Sequence, residues 1–317
     1  MIKKKKGRAI KLKIAIMGAG ALGGYFGGRW QEAGADVSYI VRPKRAEQLS
    51  ENGLSIHSVK GDYTVPEPDI IQAGNTGNMP HVDIVFLAVK GYHLEGTLSV
   101  LKEMTEKGAK VLPVLNGIEH LDILKEELGE EAVIGGLVYI IATLDDMGHV
   151  IHTSDIHNLV FGPLHPSQKE VCSQLQQLNE TANLHGIQSE DILTELWNKY
   201  MFITAFSGVT AAGNFPIGTV RSHPAAMDLI QSALEEMKQL AHAHGIELTE
   251  NHVEQAMEKF RSFPDEATSS MHQDRRKGQT IEVEHLLGGA LRLGRQKGVN
   301  LPHVETIYAL LKPYENS

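Results

Sequence analysis

The stretch KIAIMGAGALGGYFGG, Lys13 to Gly28, sets a stiff apolar run directly against a flexible, glycine-rich one. Lys13–Met17 reads as a buried strand, and it runs straight into Gly18-Ala19-Gly20-Ala21-Leu22-Gly23, which fits G-x-G-x-x-G. A helix can follow through Tyr25, Phe26, Trp30 and Ala33. In such a turn the first glycine, Gly18, permits the tight bend, Gly20 lets a pyrophosphate approach the backbone, and Gly23 lets the helix pack closely on the strand. The helix N-terminus then offers N–H groups and a partial positive charge to an anion. Strand, loop and helix in this order predict that Gly18, Ala19, Gly20, Ala21, Leu22 and Gly23 form a dinucleotide site. The alternative is an ordinary glycine-rich βα turn.

The rest of the first half carries the same texture. Asp36–Val41, Leu54–Ser58, Val82–Ala88, Lys110–Leu115 and Val133–Ile140 read as strands, followed by a hairpin through Gly148 to His152 and by Leu159–Phe161. Several are continuous apolar runs, as parallel strands buried on both faces require. After about Ser189 the strands give way to segments with a 3.6-residue apolar period: Asp191–Phe206, Ala225–His244, Thr249–Arg261, Val283–Lys297 and Pro302–Leu311. The expected fold is α/β: an N-terminal Rossmann-type doubly wound sheet over 11–188, and an all-helical domain over 189–317 that holds the substrate and the catalytic groups. Residues 1–10, rich in lysine, read as a disordered tail.

The end of the second strand indicates which dinucleotide is expected. A site specific for NAD usually carries an acid there, whereas this chain reads Val41-Arg42-Pro43-Lys44-Arg45. Those cations suit a 2′-phosphate, with Arg42 first and Lys44 or Arg45 in support, so NADPH/NADP+ is expected. A solvated surface loop is the competing reading. The net charge of −9 argues against a broad nucleic-acid footprint. The longest apolar run, Ile84 to Val89, is far too short for a membrane-spanning helix. Cys172 is the only cysteine, which excludes an internal disulfide and fits a reducing, cytoplasmic setting.

Four further positions carry chemistry. Lys90 and Asn116-Gly117 fall at the carboxyl ends of strands, where open α/β sheets bind ligands, although a solvated lysine and a plain turn are the alternatives. Lys199 projects onto one helical stripe with Ile192, Leu196, Ile203 and Phe206. Burial there would lower its pKa toward the range useful for proton transfer; the competing reading is a lysine that snorkels to water. Glu282 stands between Ile281 and Val283, ahead of Gly288-Gly289, which permits close backbone approach. An acid there can equally be helix-dipole compensation. No metal site is expected, since His242 and His244 are spaced to face different ways, and there is no G-x-S-x-G elbow.

In their order and spacing, GAGALGG at 18–24, Arg42, Lys90, NG at 116–117, ELWNK at 195–199, SSM at 269–271 and TIEVEHLLG at 280–288 resemble the ketopantoate reductase family. The resemblance covers essentially the whole chain after the basic start. It implies NADPH-dependent reduction of 2-dehydropantoate to pantoate in pantothenate synthesis, with Lys199 as proton donor and Glu282 as an active-site partner near cofactor and substrate. It also implies cofactor contacts at Lys90, Asn116 and Ala142, and substrate contacts at Asn116, Lys199 and Ser270. The chain departs from the family where asparagines would follow the lysine: Ile203 and Ser207 stand there, and Ile217 stands for a further asparagine. Ser207, Thr210 and Asn214 are the candidates to compensate, with Ser207 taken as a substrate contact. Another branched or aromatic 2-oxo acid is therefore a competing substrate, and a non-catalytic NADP(H) sensor a remoter reading. The expected partner is a small 2-oxo acid, with no nucleic acid and no membrane, and with a homodimer as the oligomeric expectation.

Overall fold

The computed structural model describes residues 12–74 and 79–316. The tail read at 1–10 lies outside them. In chain order the elements are β1 (Lys13–Met17), α1 (Ala21–Glu32), β2 (Asp36–Val41), α2 (Pro43–Asn52), β3 (Leu54–Ser58), β4 (Tyr63–Val65), β5 (Asp69–Gln72), β6 (Ile84–Leu87), α3 (Leu98–Glu106), β7 (Lys110–Pro113) and α4 (Glu119–Leu128). There follow β8 (Gly135–Leu144), β9 (Val150–Gly162), α5 (Lys169–Asn179), β10 (His185–Gln188) and then helices alone: α6 (Ile192–Gly213), α7 (Ile217–Arg221), α8 (Pro224–Ala243), α9 (Glu250–Ser262), α10 (Ser270–Arg276), α11 (Gly289–Lys297) and α12 (Pro302–Leu311).

The first sheet is parallel throughout, with strand order β5-β2-β1-β6-β7. Strand order reverses at β1, so the loop that follows it emerges at the switch point where such sheets bind ligands. Apolar strands explain the parallel pairing: Ile84 to Leu87 are buried without exception, as are Val111, Leu112 and Pro113. Under the sheet, α1 contributes Phe26 and Trp30, both fully buried, and Trp30 meets Phe86 edge-on with ring centroids 5.0 Å apart. Each such ring contributes about 1.5–3 kcal/mol through burial.

A second, mixed sheet runs β10-β9-β3-β4, with β8 paired antiparallel to β9. It takes Leu54–Ser58, Val133–Ile140 and the strands that follow it out of the first sheet. The hairpin end and Leu159–Phe161 are parts of one strand, β9, of 13 residues. Its polar middle, Thr153-Ser154-Asp155, carries the turn signal that splits it in the sequence. The strand holds together because its two halves have different partners: Val150 to His152 pair with β3, and Asn158 to Phe161 with β10.

In the second half, α6 runs past the expected end at Phe206 to Gly213, and α7 and α10 are short helices with no clear periodic signal. The expected helix Val283–Lys297 opens as a π-helical turn, Glu284–Gly288, before α11. The helix α8 packs on α7, α9, α11 and α12 through Ile230, Ala233, Leu234, Met237, Leu240 and Ala241.

The chain forms two compact units. One holds the described residues up to Val89, His93–Val114 and Leu124–Ile192; the other holds Lys90–Tyr92, Leu115–Ile123 and the chain from Leu193 onward. Two short segments from the sheet half of the sequence, those with Lys90 and Asn116, therefore belong to the helical unit. Among the described residues no helix is long and apolar enough to cross a membrane.

Candidate active site

In the first unit, the loop after β1 is shaped by its glycines. Gly18 has φ +97°, and a Cβ there would lie 2.8 Å from the Ala88 carbonyl oxygen. A Cβ on Gly23 would overlap the Gly18 carbonyl oxygen, whereas one on Gly20 would meet nothing within 4 Å. Two glycines are thus required by packing, and the third leaves open space over the backbone. No side chain caps α1, and no acid stands in its first turn. The free N–H groups of such a turn are suited to an anion.

Arg42 is exposed and forms the N-cap position of α2, directly after β2. Arg45 is used differently. Its Nε donates to the Ala19 carbonyl at 2.7 Å, and burial lowers its pKa, opposed by Asp145. Its Nη2 is buried without a protein partner among the described residues. A guanidinium held against the glycine loop with one nitrogen unsatisfied suits a bound phosphate. Ala142 lies in the second sheet of the same unit, at a register irregularity of β8.

The second unit contains the charged centre. Glu282 is only 6% exposed. Its Oε1 accepts the Gly91 N–H at 2.9 Å, and its Oε2 accepts from Lys90 Nζ at 3.3 Å. Lys90 Nζ also donates to Asp274 Oδ2 at 2.8 Å. Burial alone would lower the pKa of Lys90, but Glu282 and Asp274 outweigh it and raise it. This ammonium stays charged at any physiological pH and is held between two carboxylates.

Lys199 is 8% exposed, so the apolar stripe on α6 does bury it. Burial lowers its pKa to about 8, with the charge of Glu282 opposing the shift. Such a group holds and releases a proton near neutral pH. His120 is 6% exposed, and burial lowers its pKa to about 3, helped by the nearby charges of Lys199 and His285. It is neutral in this setting. Asn116 precedes Gly117, which has φ +85° and would place a Cβ 3.0 Å from the His285 carbonyl oxygen. Lys90 and Lys199 thus both face Glu282, although 192 residues separate Lys90 from Glu282, and Asn116 belongs to the same unit.

Sequence reasoning missed Asp274 and His120. Asp274 lies four residues after Ser270, one turn along α10, and that spacing is the signal available for it. The SSM motif divides its duties: buried Ser269 caps α10 by accepting the His272 N–H at 3.1 Å, and Ser270 is exposed. Ser207 is buried at 5% exposure. Two residues expected to compensate are engaged by protein: Thr210 Oγ1 donates to the Phe206 carbonyl at 2.6 Å, and Asn214 Oδ1 lies 3.0 Å from His272 Nε2. Ile217 presents no surface at all, because it is fully buried and its N–H donates to the Ala267 carbonyl. It is a core residue and not a pocket wall. Among the described residues no cluster of three or more histidine, cysteine or acidic side chains is placed to hold a metal.

Two family models match the chain. Residues 14–166 match "Ketopantoate reductase PanE/ApbA", and residues 191–315 match its C-terminal domain. The chain is 34% identical over 304 residues to the "Uncharacterized oxidoreductase YkpB" of Bacillus subtilis, covering 96% of this chain and 99% of that one. A crystal structure of 2-dehydropantoate 2-reductase from Geobacter metallireducens is similar at TM-score 0.87 and 25% identity, covering 95% and 99% of the two chains. D-mandelate dehydrogenase, solved with NADH and anilino(oxo)acetate, has the same fold at TM-score 0.87 and 23% identity, over 96% and 98%. With both halves matched in order, the chain belongs to the ketopantoate reductase family of oxidoreductases.

Proposed function

We propose that the protein reduces 2-dehydropantoate to pantoate with NADPH, as a step of pantothenate synthesis. The observation that carries this reading is Lys199, a buried ammonium beside Glu282, in the same unit as Lys90 and Asn116. When bound, NADPH supplies the hydride that reduces the carbonyl carbon. Lys199 delivers the proton to the ketone oxygen, and its lowered pKa matches donor strength to working pH. Glu282 keeps Lys199 from losing its proton too early, while Lys90 and the Gly91 N–H fix the carboxylate.

The glycine loop and the first turn of α1 would hold the pyrophosphate, and Arg42 the 2′-phosphate, with the unsatisfied Nη2 of Arg45 facing a further phosphate oxygen. Asn116 and Ser270 would contact the substrate, as would Ser207.

A second reading keeps the chemistry and changes the acid. Ile203, half-buried one turn after Lys199, favours a more apolar branched or aromatic 2-oxo acid, and the D-mandelate dehydrogenase of the same fold was solved with an aromatic oxoacetate. The test is a panel of 2-oxo acids ranked by kcat/KM, with NADPH and NADH in parallel. The first reading expects 2-dehydropantoate with NADPH at the head of the ranking. An aromatic acid at the head selects the second, and no turnover with any 2-oxo acid overturns both.

A further inference from the structure

The helical unit contains an ion-pair network that the proposed chemistry does not use. Arg292 Nε donates to Glu119 Oε1 at 2.8 Å and Nη2 to Glu119 Oε2 at 2.7 Å, a two-pronged match of guanidinium to carboxylate. The same guanidinium bonds Glu284 through its side chain and, at 3.0 Å, through its carbonyl. Glu284 Oε2 in turn accepts from Tyr308 at 2.8 Å and from Lys312 at 2.7 Å. The pair Gly288-Gly289 gives this network its space. A Cβ on Gly288 would lie 2.7 Å from Glu284 Oε1, and one on Gly289 would lie 3.4 Å from Glu119 Oε2 and 3.3 Å from the Tyr200 hydroxyl. The close approach these glycines allow serves a salt bridge.

What the network grips is informative. Glu119 opens α4, two residues after Gly117, and the next residue is His120. The segment Leu115–Ile123 is flanked on both sides by chain of the other unit. His120 is buried, and its Nε2 has no hydrogen-bond partner among the described residues. Its position near Lys199 therefore leans on packing and on the backbone that carries it.

We propose that Arg292 and Glu119 are positioning residues that clamp Leu115–Ile123 to the helical unit and so set Asn116 and His120 for the Lys199 centre. The consequence for catalysis rests on the reductase reading above; the anchoring itself does not. Glu119→Gln keeps the shape and loses the charge, and Arg292→Lys keeps the charge and loses the fork. Each is expected to raise KM for the 2-oxo acid about tenfold, the size of one lost charge-assisted bond. Hydrogen exchange is expected to quicken at the amides of residues 117–123 and not at the core of α8. The double variant is expected to be no worse than Arg292→Lys alone, because Glu119→Gln removes a contact that Arg292→Lys has already disrupted.

Unchanged exchange at 117–123 in both variants overturns the clamp, whatever the enzyme turns over. Additive effects, or exchange that quickens evenly across the helical unit, overturn it as well, since they mark general loss of stability. If the unmutated protein turns over no 2-oxo acid, the reductase reading falls, and local exchange still decides the clamp.

Discussion

The two candidate binding regions of this chain are built from opposite materials. The loop after β1 is made of backbone: its shape comes from Gly18 and Gly23, its charge from the peptide dipoles of α1, and nothing within Gly18 to Gly23 titrates. The Lys199 centre is made of ionisable side chains drawn from segments as far apart as residues 90 and 282. A backbone site is insensitive to pH and intolerant of added atoms. A side-chain site depends on protonation.

That contrast can be broken by substitution. Lys199→Ala should lower kcat by roughly 10²–10⁴-fold, the usual worth of a positioned proton donor, and leave NADPH affinity intact. Parallel losses in both quantities, by stopped-flow and fluorescence titration, would merge the two regions into one.

Gly23→Ala should next cost about 2 kcal/mol or more in a denaturant melt, since the methyl overlaps a backbone oxygen. Gly20→Ala should alter stability by no more than about 0.5 kcal/mol, yet still weaken cofactor binding. Equal melts for the two variants would show that the loop is not packed as described. Arg42→Ala should weaken NADPH about ten- to a hundredfold and NADH hardly at all. The assignment of the 2′-phosphate fails if both cofactors lose equally.

The smallest effect sharpens the comparison through pH. Lys199 must be protonated to donate, so the reduction rate should fall as pH rises through about 8, while the reverse oxidation, which needs the free amine, should climb. Because Glu282 holds the Lys199 pKa up, Glu282→Gln should move that limb to lower pH. A limb that stays in place removes the electrostatic link between the two residues.

The backbone site was legible in the sequence because its physics is local: a strand, a turn that only glycine can make and a helix start lie within consecutive residues. Burial of Lys199 was legible for a similar reason, since one helical stripe sets it among Ile192, Leu196 and Phe206. Glu282 announced itself through Ile281 and Val283. Its fixation by Gly91 and Lys90 did not, because partners 191 and 192 residues away leave no trace in a local pattern. Asp274 was hidden in a polar stretch where any acid looks solvated. The second sheet escaped notice because β9 carries a turn-like centre inside a continuous strand. Ile217 misled in the opposite sense: its place in a motif suggested a pocket wall, and tertiary packing made it core.

The segments 90–92 and 115–123, which belong to the helical unit although they lie within the sheet half, bear on how this protein can be taken apart. A fragment cut at the apparent boundary near residue 192 would carry Glu282 without Lys90 and Gly91, and Arg292 without Glu119. It would hold charges stripped of their counterparts, which is costly in an apolar setting. Exchanging the first half for that of a relative would likewise replace two pieces of the helical unit, so recombination at this point would re-pair Glu282 and Arg292 with foreign partners.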